Sequence, residues 1–417
     1  MKISVFSLVS MLLASLTLFV IMPAVGSDYT LGIFGNANMD DTIDEDDIAY
    51  VEGIIAGTNE ETLLADANYD GVIDEKDLTQ IELIILNVEK ELTLIDSEDR
   101  FITVKKPVER VVLLASYPAE AIRILKTQDK VVGVSNSIIQ DEAYFPEFSK
   151  LQDVGIATNP DYEAILSVHP DFVIQHTIAS ETAEHLPGVT VALLMLYKPE
   201  NFIEELVKMG YIFGKKDGAN CYVDDFHDKY IDIIKSLTET ISDDERPKVY
   251  VSGGGDRDIY NGFCAKSGAQ QMIDLCGGRN ILADIDAGNV KIDPEEIVTK
   301  NPDIIIRHLK ATDAGLKYDD PSIIKALWED TVNRPELADV NAVKNNRVYI
   351  IDSGLNYGLD YPIAMAYWAK WFHPDLFEDL DPMAIHQEYL TDFQGLDFDV
   401  SNHGIFVYHP ELYPDGR

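Results

Sequence analysis

Three patterns of apolar and polar positions follow one another along the chain. From Ile3 to Val25 the residues are almost all apolar, interrupted only by small hydroxyl residues such as Ser7, Ser10, Ser15 and Thr17. Lys2 precedes this run, and the small-residue stretch Pro23-Ala24-Val25-Gly26-Ser27 ends it. A basic start, an apolar middle and small residues before Asp28 form the pattern of a secretory signal over residues 1–27. A run of about 20 apolar residues also reaches across a bilayer, so a cleaved signal and an uncleaved anchor both stay open. No cysteine follows it to carry a lipid. Either way the remainder works outside the cytoplasm, secreted or attached to the cell surface.

The second pattern, over residues 28–90, is a duplication. Ile48, Val51 and Ile55 recur one repeat later as Leu78, Ile81 and Ile85, and each set marks one face of a short helix. From Leu92 onward the pattern changes again, to short β-branched runs separated by amphipathic stretches. Val111–Leu114, Val131–Val134, Phe172–Ile174, Val189–Val191, Val249–Val251, Ile304–Ile306 and Val348–Ile351 read as parallel strands covered on both faces. Helices are expected between them at Ala119–Lys126, Tyr162–Val168, Pro199–Phe213 and Pro294–Lys300. Residues 216–243 contain no proline and predict a single helix of about 35 Å. The expected architecture is thus α/β: two Rossmann-like lobes, 92–215 and 244–390, joined by one long rigid helix at 216–243. A small all-α module at 28–90 precedes them and a tail at 391–417 follows.

Charge narrows the function. The chain carries 73 acidic and 33 basic residues in 417, a formal charge of −40. A field this negative repels phosphate backbones and anionic lipid, and it favours divalent cations. Nucleic acid is therefore not an expected partner. The three cysteines, Cys221, Cys264 and Cys276, do not form a CxxC. Buried free thiols are expected, with a Cys264–Cys276 bridge as the alternative.

The acids of residues 28–90 are regularly placed. Asp66, Asn68, Asp70, the Val72 carbonyl, Asp74 and Asp77 fall at positions 1, 3, 5, 7, 9 and 12 of a calcium loop, with Gly71 at the turn. The same register gives Asn36, Asn38, Asp40, the Thr42 carbonyl, Asp44 and Asp47, with Asp41 where Gly is expected. Asn36 removes a charge and Asp41 would strain a left-handed turn, so calcium is expected at two sites, the first weaker. Two such loops, each followed by a helix and each ending in Asp, resemble a type I dockerin. That resemblance implies a cohesin-like docking partner, with Glu45-Asp46 and Glu75-Lys76 at the recognition positions.

The segments PVERVVLLASYPAEAIRIL, DKVVGVSN, NPDYEAILSVHPDFVI, SGAQQMIDLCGGRNILAD, IDPEEIVTKNPDIII and AVKNNRVYIID resemble the class III substrate-binding proteins of ABC importers that handle iron chelates and cobalamin. The resemblance implies a non-enzymatic receptor that delivers a metal chelate, such as a ferric siderophore, haem or corrinoid, to a permease. It also implies docking to that permease through Glu163 and Glu295. Ligands in α/β folds sit at the carboxyl ends of parallel strands. This rule points to Ser116 and Tyr117 in 116–118, to Ser135-Asn136, to His176 in 175–177, to Arg257 and Tyr260 in 253–260, to Arg307 and His308, and to Tyr357 in 353–357. Guanidinium groups clamp anions, and phenol or imidazole can ligate iron. No catalytic residue is expected, because GxSxG and HExxH are absent. Two other functions stay open: a non-transport adhesion or assembly protein, and a dockerin-bearing hydrolase.

Overall fold

The computed structural model describes residues 29–176, 179–196, 201–253 and 258–417. The expected signal or anchor, residues 1–27, lies outside them. Among the described residues no helix is long and apolar enough to cross a membrane.

Residues 29–90 hold two helices, α1 (Glu45–Ile55) and α2 (Glu75–Ile85). Each starts with a capping box: Asp44 and Asp74 cap, while Asp47 and Asp77 reach back to the cap backbone. The repeat is as expected, but the buried face is rotated by one residue. Val51 and Ile54, and Ile81 and Ile84, point inward, whereas Ile55 is 43% exposed. This module has no core of its own, because its apolar residues belong to the same cluster as those of the first lobe. Its backbone is also tied to that lobe. Ile43 N donates to Tyr211 Oη (3.0 Å), Gly32 N donates to Glu204 (3.1 Å), and Phe34 N donates to the Thr93 carbonyl.

A hairpin, β1 (Glu91–Ile95) and β2 (Phe101–Lys105), leads into the first lobe. That lobe is a five-stranded sheet in the order β5-β4-β3-β8-β9, made of β3 (Val111–Leu113), β4 (Val131–Val134), β5 (Gln152–Asp153), β8 (Phe172–Gln175) and β9 (Thr190–Leu193). Every pairing in it is parallel. A two-residue hairpin, β6 (Gly155–Ile156) with β7 (Asn159–Pro160), lies off the sheet. All of β3 and β8 is buried, as continuous apolar strands covered on both faces require. Helix α3 (Tyr117–Ile124) follows β3, with Pro118 in its first turn.

The helical stretch between the lobes differs from the single 216–243 helix expected. It comprises an α segment at Lys216–Tyr222, a π segment at Val223–Asp228 and an α segment at Lys229–Thr238. It stops short of residue 243, where Ser242 and Glu245 form a hydrogen-bonded turn ahead of Pro247. The π segment widens the helix where Phe226 meets Tyr389 and Phe393, with ring centroids 5.3 and 5.2 Å apart. Those two rings come from a second π segment, Tyr389–Phe393.

The second lobe is a mixed seven-stranded sheet: β10 (Lys248–Ser252), β11 (Asn261–Phe263), β12 (Arg279–Asn280), β13 (Asn289–Lys291), β14 (Ile304–Leu309), β15 (Val348–Asp352) and β16 (Val407–Tyr408). Strands β10, β14 and β15 are parallel neighbours, and β16 closes the edge antiparallel to β15. The segment expected as a tail is therefore a structural part of this lobe. The helix Tyr361–Phe372 is buried nearly all round, so Tyr367, Trp368, Trp371 and Phe372 are packing residues. The three cysteines are free, and Cys264 and Cys276 lie in different apolar clusters. The alternative bridge does not form.

Candidate functional site

The carboxyl ends of β3 and β15 open into one cavity of about 220 Å³. The first lobe contributes Ser116, Tyr117 and Glu120, which follow β3, together with Asp141, Tyr144 and Phe145. The second lobe contributes Ala311 and Ala314 to Leu316 after β14, and Asp352 to Leu355, Tyr357 and Asp360 at and after the end of β15. His386 and Phe406, from residues beyond those expected to form the cleft, complete the wall.

Of the residues singled out from sequence, Ser116, Tyr117 and Tyr357 line this cavity. His176 is half-buried just behind Tyr117, with ring centroids 6.2 Å apart. His308 is enclosed by Phe263, Tyr357 and Trp368. Burial pushes its pKa down to about 4, so it is neutral at pH 7, and neither ring nitrogen has a partner among the described residues. Arg257 lies outside the described residues.

Two expected ligand residues point elsewhere. Successive residues of a strand face opposite sides, so with His308 turned toward Trp368, Arg307 turns to the other face. There it donates to Asp330 (2.7 Å) and Thr331 (2.9 Å) and is 3% exposed. Tyr260 joins the same outer network through Glu336 and Arg334. Both serve a largely exposed ion-pair cluster, in which only Arg307 is buried, and neither is part of the cavity wall. Ser135-Asn136 are likewise absent from the wall, with Ser135 bonded to Ser137.

What the sequence reading missed is the cavity's acidity. Glu120 and Asp352 are 7% and 5% exposed, and burial raises each carboxyl to about pKa 7. Asp360 is pushed well above the usual carboxylate range by burial, then by Glu120 and Asp352. Tyr389 donates to Glu120 at 2.7 Å, and Gly354 N donates to Asp352 at 2.9 Å. Gly358 has φ +126°, and a methyl there would lie 3.3 to 3.5 Å from Asp360 and both Glu120 oxygens. The turn therefore keeps this space open for the two carboxylates. The nearby Arg123 guanidinium is committed to Glu147 by bonds of 2.6 and 2.7 Å. The sequence offered one faint signal, a Glu at the first turn of a helix buried on every side.

Glu163 and Glu295 occupy equivalent places in the two lobes. Each is exposed in the first turn of a short helix, Tyr162–Ser167 and Pro294–Lys300, capped by Asp161 and Asp293.

The two expected calcium loops share one hydrogen-bond plan. Asp47 accepts from Asn38 N and Asp44 N, and Asp77 accepts from Asn68 N and Asp74 N. Asp40 N and Asp70 N donate to the position-1 residues Asn36 and Asp66. The left-handed residue common to both loops is at position 4, Met39 (φ 66°) and Tyr69 (φ 57°). Asp41 is not left-handed, so the strain expected there is absent, and the loops differ chiefly in the charge that Asn36 lacks. Burial raises Asp47 to about pKa 6, with Asp40 and Asp44 adding to the effect. Among the described residues no three His, Cys, Asp or Glu side chains converge as a ready ligand set. In the second loop Lys76 Nζ lies 3.1 and 3.3 Å from Asp70 and Asp74. That exposed ammonium can swing into solvent. A buried carboxylate flanked by others, closed by a 12-residue turn, fits a hard cation that would take its remaining oxygens from Asn side chains and the Thr42 or Val72 carbonyl.

Parallel strands of two α/β sheets end at this cavity, the place where such folds bind small ligands. A family model described as "Periplasmic binding protein" matches residues 111–355, more than half of the chain, and the chain belongs to that family. It is therefore an extracytoplasmic solute-binding protein of an ABC transporter, from a family of binding proteins that work with a permease. No curated protein matches the sequence. Among solved structures, the TroA-like periplasmic binding protein FepB from Veillonella parvula is 25% identical, with a TM-score of 0.64 over 76% of this chain and 99% of that one. Helicobacter pylori CeuE, solved as a Ni-His complex, is 20% identical, with a TM-score of 0.56 over 74% and 96%. Haemophilus influenzae MolA bound to molybdate is 16% identical, with a TM-score of 0.60 over 73% and 98%.

Proposed function

We propose that the protein captures a metal chelate in the cavity between its lobes and presents it to an ABC permease. The cavity at the ends of β3 and β15 carries this reading, because it is lined from both lobes by hydroxyl, phenol and carboxylate groups. Exposed Glu163 and Glu295, one per lobe in the same helical position, would dock the loaded protein onto the permease. The helical run 216–238 would act as the connector that sets the spacing of the lobes, since it packs on the second lobe through Tyr222, His227 and Lys229.

Residues 28–90 would serve as a calcium-binding, dockerin-like module that holds the receptor at a surface through a cohesin-like partner. Supporting this, Glu45, Asp46, Glu75 and Lys76 are exposed at the matching first turns of α1 and α2. The proteins that share this fold were solved with nickel and with molybdate, so the fold leaves the ligand to the lining residues.

A fluorescence titration of the calcium-loaded protein with ferric siderophores, haem and cobalamin tests the capture step. Saturable quenching that is lost in Tyr117→Ala and Tyr357→Ala supports it. Quenching that is unchanged in both variants removes the cavity as the site.

A further inference from the structure

The charge of the solute can be read from the cavity wall. Four carboxylates line it, Glu120, Asp141, Asp352 and Asp360, and among the described residues no Lys or Arg does. Two of them, Glu120 and Asp352, are more than nine-tenths buried, where an uncompensated carboxylate is costly. The carboxylates come from both lobes, so they meet only because the lobes face one another.

Aromatic rings make up much of the remaining wall: Tyr117, Tyr144, Phe145, Tyr357 and Phe406. Rings beside carboxylates are the surroundings in which a cation is stabilised by both charge and ring quadrupole. A further observation points to a missing ligand. His386 is 2% exposed, lines the cavity and has no partner for Nδ1 among the described residues. Burial holds His386 down to about pKa 3, so it adds no positive charge at neutral pH. Among the described residues the nearby cations compensate only in part: Arg123 and Lys317 lower Glu120 and Asp352 respectively, but Arg123 pairs with Glu147 and Lys317 stands over Tyr318, and burial outweighs both.

We infer that the cleft is built for a compact solute of net positive charge, a cationic metal complex or an organic ammonium ion, and not for an anionic chelate. This rests on the cleft being the solute site. The volume of about 220 Å³ sets the size. An octahedral ammine complex or a small quaternary ammonium fits this volume better than a bulky siderophore, since pockets for drug-sized ligands run to roughly 300 Å³ or more.

The test is calorimetric titration in saturating calcium and moderate salt, so that the loops at 36–47 and 66–77 and the acidic surface do not dominate. The probes are hexaamminecobalt(III), tetramethylammonium and the similarly compact anion hexacyanoferrate(III). The expected result is saturable one-to-one binding of at least one cation and none of the anion. Affinity should fall on the order of 30-fold or more in Glu120→Gln with Asp352→Asn. Whichever cation binds more tightly assigns the metal-complex or the organic source. The apo thermal midpoint of that double variant should not fall, which separates lost binding from lost folding.

Cation binding that survives in the double variant overturns the inference, as does silence from both cations. Binding of hexacyanoferrate that is lost in Tyr117→Ala overturns the charge assignment while leaving the cleft as the solute site. Binding of every probe unaffected by Tyr117→Ala and Tyr357→Ala overturns the cleft reading itself.

Discussion

The carboxylates of residues 66–77 and those of the cleft are equally dense, but they are assembled in different ways. In the loop, four aspartates lie within twelve residues, and backbone amides hold them: Asp66, Asp70, Asp74 and Asp77 each accept at least one main-chain N–H. In the cleft, Glu120 and Asp141 come from one lobe and Asp352 and Asp360 from the other, and they share few donors. Local spacing builds the first site, so its own turn supplies main-chain donors, although burial still holds Asp77 above the usual carboxylate range. Tertiary packing builds the second, so its charge is left for something that enters. The two sets therefore differ less in residue type than in which groups hydrogen-bond them.

Neutralising the two sets should act on stability in opposite directions. The largest effect is expected in the cleft. The folded carboxyls of Glu120 and Asp352 titrate near pH 7 and their unfolded forms near pH 4. Between those values the folded protein holds more protons than the unfolded one, so stability without solute falls as pH rises from about 4 to about 7 and levels off above. At pH 8, Glu120→Gln with Asp352→Asn should raise stability by on the order of 2 kcal/mol per site, read by urea unfolding without solute. A lower midpoint would mean that the native carboxylates are already compensated.

In the loop the sign reverses. Asp77→Ala leaves Asn68 N and Asp74 N without their acceptor, and unfolding should become easier by about 1 to 3 kcal/mol. Gly71→Ala should cost about 1 kcal/mol, because φ is +89° while nothing lies within 4 Å of the added methyl. Asp41→Gly should change stability by only a few tenths of a kcal/mol, since Asp41 is not left-handed. A gain near that of a relieved left-handed turn would restore the strain first expected there.

The same division explains how much could be read from sequence. The loops, the repeat of α1 and α2, and seven of the twelve strands of the two sheets follow from spacing within a few residues, whereas the short strands β5, β11, β12, β13 and β16 do not. The rotation from Ile55 to Ile54 does not, because it depends on how the module packs on the helix bearing Tyr211. Strand ends were legible, which brought Tyr117 and Tyr357 to the cavity. Which of two adjacent residues faces it was not, and Arg307 turned to Asp330. Asp360, His386 and Phe406 carried no local mark, and Glu120 only the faint one of a Glu in the first turn of an apolar helix. They reach the wall only because Tyr389 bonds Glu120 and because β16 folds back on β15.

Native mass spectrometry of the protein purified from its own culture, beside Tyr117→Ala and Tyr357→Ala, tests the central claim most directly. The account expects one small solute bound per chain in the native protein and loss of that solute in both variants. A native protein that carries no solute after exposure to its growth medium, or variants that retain it in full, would contradict the cleft as the place where this receptor holds its cargo.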